Sequence, residues 1–436
     1  MTYLHSSFRC SYIPLLAAPA LLLAACTGDP STGEESTDTG ATSSATSSSD
    51  TGSPTSSDAT TSDASSTGAA TATDPTSTTD TADTSTTDTG DASTGEPTSW
   101  QPPACDSVTG TGAVTFSKDQ GATLAPMDGK IVPVTYTMGL VALGKPGAML
   151  AGSKGEILAS SDAGCSWHSI GATPAANAPA MTLRAAGETR AYGFGDNDTT
   201  IVRVDDEVIT KLASPAEQDG IVGLGVDPQD PDHLRIGDSA GRLWDSTTAG
   251  DDWQPAGVPA FVNSLAYRVA FDPQDLGHVL VGTLVQGVRV SHDGGAKWTS
   301  ATGLGGSFNG FNLVVSPADS DIVWVEGFDL DDPNEATSRH IYRSEDGGLG
   351  FVAVVDSDEA TLYNGNHMFA HPSDPDILYF VFGSNFGNYG TDLYRYDHAS
   401  GTIDLTHNPW HDTIIEFLPG DPSVIYLGLS IEPGGG

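Results

Sequence analysis

From about residue 135 to residue 430, short apolar runs alternate with short polar turns. The runs are rich in β-branched and aromatic residues and are bounded by Pro, Asp and Gly, which is typical of strands joined by hairpins. One turn recurs where an apolar run ends: Val226-Asp227-Pro228, Phe271-Asp272-Pro273, Val315-Ser316-Pro317, Ala370-His371-Pro372 and Phe417-Leu418-Pro419. No helical periodicity is visible after residue 100, so the pattern predicts an all-β domain.

A second recurring pattern is the octet Ser-x-Asp-x-Gly-x-x-aromatic. Its full copies are Ser160, Asp162, Gly164 and Trp167; Ser291, Asp293, Gly295 and Trp298; and Ser344, Asp346, Gly348 and Phe351. A fourth copy has Thr248 in place of Asp. We expect the Asp side chain to bond the backbone two residues on, the Gly to take a positive φ, and the aromatic ring to pack beneath the turn. These aspartates are therefore interpreted as structural.

The octets and weaker copies of them are spaced almost evenly. Equivalent turns fall at Asp162, Asp205, Thr248, Asp293, Asp346 and Asp397. A period of roughly 40–50 residues predicts propeller blades of four strands each. The octet resembles the Asp-box (bacterial neuraminidase) repeat of sortilin-like and sialidase-like β-propellers. The resemblance implies a single propeller; seven blades are predicted, with six or eight as alternatives.

The last blade leaves the closure of the ring open. Its strands are predicted near 413–418 and 424–430, and we expect its octet hairpin after residue 436. One interpretation is that N-terminal strands, from Val114-Thr115-Phe116 and from residues 131–134, complete this blade. The other is a truncated chain. Closure by the N-terminus is favoured because it removes an exposed sheet edge.

The first 26 residues resemble a lipoprotein signal peptide. Arg9 precedes an apolar run from Ile13 to Ala25 that is too short to span a membrane, and Leu23-Ala24-Ala25-Cys26 matches a lipobox. The resemblance implies a lipid anchor on Cys26, and Thr27 after it suggests the outer membrane of a cell envelope, exposed to the periplasm or the cell surface. An ordinary secretory signal is the alternative.

Residues 27–104 are predicted to form a disordered stalk in front of a propeller at 105–436. The segment is dominated by Ser, Thr, Asp and Gly, and holds 13 acidic residues between Asp29 and Glu96 without a Lys or Arg. The mature chain beyond it still carries 44 acidic against 16 basic residues. Nucleic acid is therefore not an expected partner, because phosphate binding needs basic clusters. We expect a monomer.

Two of the four cysteines are left for the domain. Cys10 leaves with the signal peptide and Cys26 would carry the lipid, so Cys105 and Cys165 remain. A disulfide between them is predicted for an exported domain. A catalytic thiol is the alternative.

Candidate binding residues lie in loops that lead into the innermost strands. They are Asn309, Tyr363, His367, Trp410, His411 and Asp412. Together they would surround one mouth of the central channel, where His beside Asp could do acid–base work and Trp with Tyr and Asn could hold a sugar. A separate loop with Asp329, Asp331 and Asp332 offers the oxygen ligands that Ca²⁺ prefers. A solvated acidic loop is the alternative, and no other cofactor is predicted.

No catalytic residue is assigned. The sialidase family needs an Arg-Ile-Pro motif, and the nearest match is Arg235-Ile236-Gly237. The predicted function is therefore that of an envelope-anchored lipoprotein whose propeller binds a glycan or an extracellular protein without catalysis. A glycoside hydrolase with two carboxylates in one cleft is an alternative. An assembly or stability factor for a membrane complex, similar to photosystem-associated propellers, is another, because the fold alone does not decide function.

Overall fold

The computed structural model describes residues 99–431, except for positions 111–113, 127–138, 154, 175–180, 196–197, 217–218, 335–336, 363–366, 385–389 and 409–410. Over these residues the regular structure consists of strands, which form seven sheets. No helix that is long and apolar enough to cross a membrane occurs in this part of the chain. The prediction of an all-β propeller with seven blades is confirmed.

Two short strands come first, β1 (Thr109–Gly110) and β2 (Val114–Ser117). The first blade holds β3 (Gly139–Ala142), β4 (Met149–Ser153), β5 (Glu156–Ser160) and β6 (Ser166–Ala172). The second holds β7 (Met181–Ala185), β8 (Arg190–Gly195), β9 (Ile201–Asp205) and β10 (Val208–Leu212). The third holds β11 (Ile221–Val226), β12 (Leu234–Asp238), β13 (Leu243–Ser246) and β14 (Gln254–Ala256). The fourth holds β15 (Ala266–Phe271), β16 (Val279–Thr283), β17 (Val288–Ser291) and β18 (Thr299–Ser300).

The fifth blade holds β19 (Phe308–Val315), β20 (Val323–Asp329), β21 (Arg339–Ser344) and β22 (Val352–Asp356). The sixth holds β23 (His367–Ala370), β24 (Ile377–Ser384), β25 (Gly390–Asp397) and β26 (Thr402–Asn408), and the seventh holds β27 (His411–Phe417) and β28 (Ile425–Ile431). Successive strands of a blade are antiparallel neighbours. The first strands of neighbouring blades pack against each other around the ring, so each first strand is the innermost one.

The ring is closed by the N-terminal strand β2. It pairs antiparallel with β28, from Val114 opposite Gly428 to Ser117 opposite Ile425, and β28 pairs in turn with β27. Phe116 and Tyr426 are buried edge to face, with ring centroids 6.2 Å apart. Closure by Val114-Thr115-Phe116 is thereby confirmed, whereas residues 131–134 lie outside the described residues.

The octet turn of the seventh blade follows β2, so the expectation that it lies beyond residue 436 was wrong. Residues 117–124 read Ser-Lys-Asp-Gln-Gly-Ala-Thr-Leu, an octet that ends in Leu124 instead of an aromatic residue. Gly121 N donates to Ser117 Oγ at 2.8 Å, and Thr123 N donates to Asp119 Oδ1 at 2.8 Å. The missing turn is supplied from the other end of the chain.

Inside each octet, Ser and Asp divide the backbone donors of the turn between them. In the first copy Ser160 Oγ accepts from Asp162 N and Gly164 N and donates to Asp162 Oδ1. Asp162 Oδ1 accepts from Ser166 N, four residues on, at 2.9 Å. We expected Asp to accept the N–H two residues on, and this was wrong: Ser makes that contact, and Asp accepts the N–H four residues on. The glycines have the positive φ predicted for them, for example 84° at Gly164.

The aromatic residues of the octets lie under or beside their turns. Trp167 and Phe351 are buried, and Trp167 Nε1 donates to Gly164 O within its own turn. Trp298 Nε1 donates instead to Val258 O in the connection from the third blade, at 2.8 Å. In the copy that lacks Asp, Thr248 Oγ1 accepts Asp252 N at 2.9 Å, so a hydroxyl replaces the carboxylate as the acceptor.

The octets also fasten neighbouring blades together. The residue between Asp and Gly has a positive φ, unusual outside glycine, and its carbonyl accepts a hydrogen bond from the preceding blade in four of the turns. These bonds are Tyr426 Oη to Ala163 O, Tyr379 Oη to Gln120 O, Arg203 Nη1 to Ala249 O, and a His278 Nε2 contact with Gly347 O, at 2.9–3.1 Å. These four octets therefore each close their own hairpin and lock one seam of the ring.

A disulfide ties the segment that enters the domain to the first octet. Cys105 and Cys165 are bonded, with Cα atoms 5.9 Å apart and a sequence separation of 60. Closing a loop of this length lowers the conformational entropy of the unfolded chain, which stabilises the folded state by about 4 kcal/mol in the chain-entropy model. Just ahead of it, Trp100 Nε1 donates to Leu143 O at 3.0 Å, so contacts with the first blade begin before residue 105.

Substitution of Tyr426 by Phe tests the seam between the last and first blades. It removes the donor to Ala163 O and leaves a buried carbonyl unsatisfied, which should lower the free energy of unfolding by about 1–2 kcal/mol in urea titrations. The matched control is Tyr267→Phe, because among the described residues the Tyr267 ring makes an aromatic contact with Phe311 and no hydrogen bond. Equal stability of Y426F and Y267F would contradict this role.

Candidate functional site

Strand topology gives the propeller two unlike faces. Each first strand starts at one face and ends at the other, so the connection between second and third strands lies at the starting face and the octet turns lie at the opposite one. We call them the loop face and the octet face. The loop face includes residues 257–265, which enter β15, and residues 284–287, between β16 and β17. Binding residues usually lie on such loops, held by a rigid frame.

The innermost strands enclose a central channel with a cavity of about 270 Å³. Its walls are mostly apolar, but four titratable side chains enter it from four blades: Arg184, Arg268, His367 and Glu416. Among the described residues that line the cavity, Glu416 is the one carboxylate. The channel is thus a small polar site inside an apolar ring.

Strand register explains why these side chains meet. Each inner strand ends at a residue whose N–H closes the first hairpin of its blade, and these residues include Ala186, Asp272, Ser316, His371 and Leu418. Counted back from them, Arg184 and Glu416 lie two residues away, whereas Arg268, Asn312 and His367 lie four away. Side chains on one side of a strand repeat every two residues, so the two groups form channel-facing layers about 7 Å apart.

The alternate positions of the same strands build the walls between blades. Three residues back from each hairpin closure stand Leu183, Val269, Leu313, Met368 and Ile415, all buried. Glycine is required where two inner strands touch: a Cβ on Gly223 would lie 2.1 Å from Val269 O. The first blade repeats this contact at Gly139, which faces Met181 O.

Glu416 links the last blade to the first. Its Oε1 accepts the Ala142 N–H of β3 at 3.1 Å. Burial raises the pKa of the Glu416 carboxyl to about 7, against the opposing effects of that N–H and of the Arg184 charge. This group therefore changes its charge near neutral pH.

The other channel groups have fixed charges near neutral pH. Burial, together with the Arg268 charge, lowers the pKa of Arg184 to about 10, and Glu416 partly offsets this. Arg184 Nη1 donates to Leu183 O at 3.0 Å. The Arg184 side chain lies inside the channel, where solvent can still contact it. Burial and Arg268 lower the pKa of His367 to about 4, so its ring is neutral.

Of the predicted binding residues, His367 lies in the channel and Asn309 supports a loop. Asn309 is buried, and its Oδ1 accepts Val285 N at 2.8 Å. His411 and Asp412 start β27 and pair with Ile431 and Leu429 of β28. Tyr363 and Trp410 lie outside the described residues, as does Cys26. The ligand-binding role of this set stays a prediction.

The three aspartates of the predicted calcium loop accept hydrogen bonds from backbone N–H groups, two of them within the loop and one in the connection that enters β19. Asp329 Oδ1 accepts Asp331 N, Asp331 Oδ2 accepts Ser307 N, and Asp332 Oδ1 accepts Asn334 N, all at 2.8–2.9 Å. The bonds of Asp329 and Asp332, each to the N–H two residues on, are Asx turns that close the loop. Calcium binding here stays a prediction.

The channel residues Arg184, Arg268 and Glu416 were missed from the sequence. Arg184 and Arg268 are each the one charged residue of Met181–Ala185 and Ala266–Phe271, whereas Glu416 shares His411–Phe417 with His411 and Asp412. Arg268 and Glu416 stand just before a recurring turn, at 271–273 and 417–419, whereas no such turn follows Arg184. Only the strand register shows that these positions face one channel.

The loop face also carries exposed apolar side chains, which we call the loop-face patch: Val262, Leu265, Leu284 and Val285, exposed by 76%, 43%, 37% and 45%. They are joined by backbone, since Leu284 N donates to Leu265 O at 2.8 Å. Val285 has a φ of 69°, a strained value for a β-branched residue, and Asn309 Oδ1 and Phe308 N hold it there.

Comparison with known proteins gives relatives of different kinds. No family model matches the chain. The dispase autolysis-inducing protein of Streptomyces mobaraensis is 43% identical over 338 residues, covering 75% of this chain and 89% of that protein. A xyloglucanase of a Paenibacillus species is 28% identical over 220 residues, 42% of this chain and 21% of that enzyme. Among solved structures, the GH74 enzyme of Niastella koreensis has a TM-score of 0.50 at 18% identity, covering 68% of this chain and 51% of that one, a likeness of fold alone.

Substitution of Glu416 by Gln tests the buried carboxyl. Because its pKa is raised in the folded state, the native protein binds this proton more tightly than the unfolded chain does, and stability falls as pH rises from about 4.5 through 7. Glu416→Gln removes that part of the pH dependence. We expect urea unfolding to show similar stability for both proteins at pH 5, and the variant to be more stable by about 2 kcal/mol at pH 8.

The exposed Glu188→Gln serves as the control for charge removal alone. Parallel pH profiles of Glu416→Gln and the unsubstituted protein would contradict the assignment.

Proposed function

The chain belongs to the family of the dispase autolysis-inducing protein, and on that premise we propose that its propeller is a non-enzymatic binding module. It engages dispase, or a protease like it, outside the cell and promotes the self-cleavage of that protease. The observation that carries the proposal is the extent of the relationship, which spans most of both chains. A shared binding surface is expected when the whole ring is shared.

The loop-face patch is the part of the ring that best suits a protein partner. Contiguous exposed apolar side chains on a soluble protein commonly mark interaction sites. Here they sit on connections that Asn309 and the backbone of β19 hold in place, so little ordering is needed on binding. A strained residue such as Val285 is kept only where its surroundings enforce it, which supports a functional role.

The charge of the chain supports an exported partner with a basic surface. The mature chain beyond the stalk carries 44 acidic against 16 basic residues, and such an excess accelerates encounter with a cationic surface while leaving the apolar contact to hold the complex. Anchoring through Cys26, with residues 27–104 as a spacer, would place the ring at the cell envelope. This anchoring is part of the proposal.

A glycoside hydrolase is the second candidate, favoured by the match to the xyloglucanase. Such enzymes need two carboxylates across one cleft, either about 5–5.5 Å or about 6.5–9.5 Å apart. The described channel residues provide Glu416 alone. Binding without hydrolysis is therefore the better supported function. Release of reducing sugar from xyloglucan that is lost in Glu416→Gln would reverse this preference.

Substitution of the loop-face patch tests the proposed function. The purified protein should shorten the lifetime of intact dispase, followed by gel electrophoresis. The double variant Leu265→Asp/Leu284→Asp should lose most of this effect, by about tenfold or more in rate, because two charges would be buried in the contact. Both side chains are exposed, so the ring itself should remain folded.

The matched control carries the same chemistry on the blade edges. Val208→Asp/Leu405→Asp changes residues exposed by 64% and 57% on β10 and β26. Its effect on dispase should equal that of the unsubstituted protein. An equal loss in both double variants, or no loss in either, would overturn the placement of the binding surface.

A further inference from the structure

The seam between the fourth and fifth blades is joined by a histidine, unlike the three other seams in which a side chain bonds an octet carbonyl. Those three use Tyr426 Oη, Tyr379 Oη and Arg203 Nη1, and hydroxyl and guanidinium groups keep their protons at neutral pH. His278 Nε2 makes the corresponding contact with Gly347 O at 2.9 Å. Among these four seams, a change of protonation near neutral pH therefore acts on this one.

Both ring nitrogens of His278 face groups that accept hydrogen bonds. Nε2 contacts the carbonyl of Gly347, and Nδ1 lies 3.1 Å from Asp272 Oδ2. Burial opposes ionisation of Asp272, but hydrogen bonds from His278 and Ser320 outweigh it and lower the pKa of this carboxyl. A carbonyl and an ionised carboxylate each need a donor, so the His278 ring carries two N–H groups and is an imidazolium. It is 4% exposed, so the protein and not solvent holds this cation.

A second histidine restricts the site to one proton. The exposed ring of His292 is stacked on His278, with centroids 4.4 Å apart and planes 13° apart. Burial and the charge of His278 lower the pKa of His292. Three carboxylates oppose this effect: Asp321, Asp275 and Asp293. Because two stacked cations repel each other, the single proton lies on the ring that has two acceptors, His278.

The two rings give the seam opposite responses to pH. Burial disfavours the charged form of His278, but its bonds to Asp272 and Gly347 O, together with the Asp275 charge, outweigh burial and raise its pKa above 6.5. Its stabilisation is therefore complete below about pH 6.5 and is lost as pH rises through the raised pKa. The lowered pKa of His292 costs stability as pH falls below 6.5. Together these groups make the seam tightest close to pH 6.5.

The Asp–His pair is not needed to form the hairpin that carries it. Asp272 N donates to His278 O, and in the fifth blade Ser316 N donates to Ile322 O in the same way, with an apolar residue in place of the histidine. The third blade has His233 at this position, but its ring contacts carboxylates of its own blade. The particular contribution of His278 is thus its contact across the seam.

We propose that His278 is a pH-sensitive lock between the fourth and fifth blades. Its proton keeps the octet of the fifth blade, residues 344–351, bonded to the fourth blade, and loss of that proton as pH rises above neutral releases the octet. His292 excludes a second proton from the seam. The lock is on the octet face and does not depend on the partner surface of the loop face.

Hydrogen exchange at controlled pH tests the lock. We expect the protection factors of residues 344–351 to fall by about tenfold between pH 6.5 and pH 8.5, which corresponds to roughly one charge-assisted hydrogen bond. The octet at residues 117–124 is the internal control, because the Tyr379 hydroxyl holds it and burial raises the pKa of Tyr379. A change that acts on the whole ring, such as titration of Glu416, alters both octets alike.

The double variant Asp272→Ser/His278→Ile copies the pair Ser316 and Ile322 of the fifth blade. It should make the protection of residues 344–351 independent of pH, at the level that the unsubstituted protein has at pH 8.5. His292→Ser is the matched control, and it should keep the alkaline release because the His292 ring is already neutral there.

Nitrogen NMR of the imidazole rings in the unsubstituted protein keeps the test valid if the double variant does not fold. His278 should show two N–H groups at pH 6.5 and lose one of them as pH rises. A single N–H at pH 6.5 would overturn the proposal. So would an equal loss of protection in both octets, or a double variant that keeps the pH dependence of the unsubstituted protein.

Discussion

The pairing of β2 with β28 is the contact on which the rest of this structure depends. Without it the last blade would consist of β27 and β28 with an open edge, and the contact from Tyr426 to Ala163 O would have no fixed partner. With it, seven blades meet around one axis and each inner strand packs on its neighbours. Closure therefore sets the channel, the seams and the loop face together, and every binding surface considered above assumes a closed ring.

The fold was largely readable from the sequence because its determinants are local. Alternating apolar runs, the Pro turns and the octets each act within about ten residues, so their meaning does not depend on the rest of the chain. The octet of the seventh blade was not found from the sequence because Leu124 replaces the aromatic residue and because the turn lies at the N-terminal end, far in sequence from the blade it completes. The bonding of Asp162 to a residue four positions on, instead of two, is likewise invisible in the sequence alone.

The candidate site was less readable because it depends on register between distant strands. His367 could be found as a polar residue at a strand start, but Arg184 and Arg268 look like isolated charges in apolar runs, and Glu416 lies in a strand where Asp412 drew the attention instead. Their shared layer positions become meaningful only when seven strands are aligned by the hydrogen bonds that close their hairpins. The loop-face patch depends on a more local pairing, since Leu284 N reaches Leu265 O once β15 and β16 have paired.

The central claim is that a closed ring presents its loop face to a protease. Hydrogen–deuterium exchange of the protein, alone and with dispase held under an inhibitor, measures this directly, because it reports which backbone segments the partner covers. Slower exchange at residues 257–265 and 284–287, with unchanged exchange in the octet turns, is the predicted result. Protection confined to the octet turns, or none in either region at saturating dispase, would contradict it.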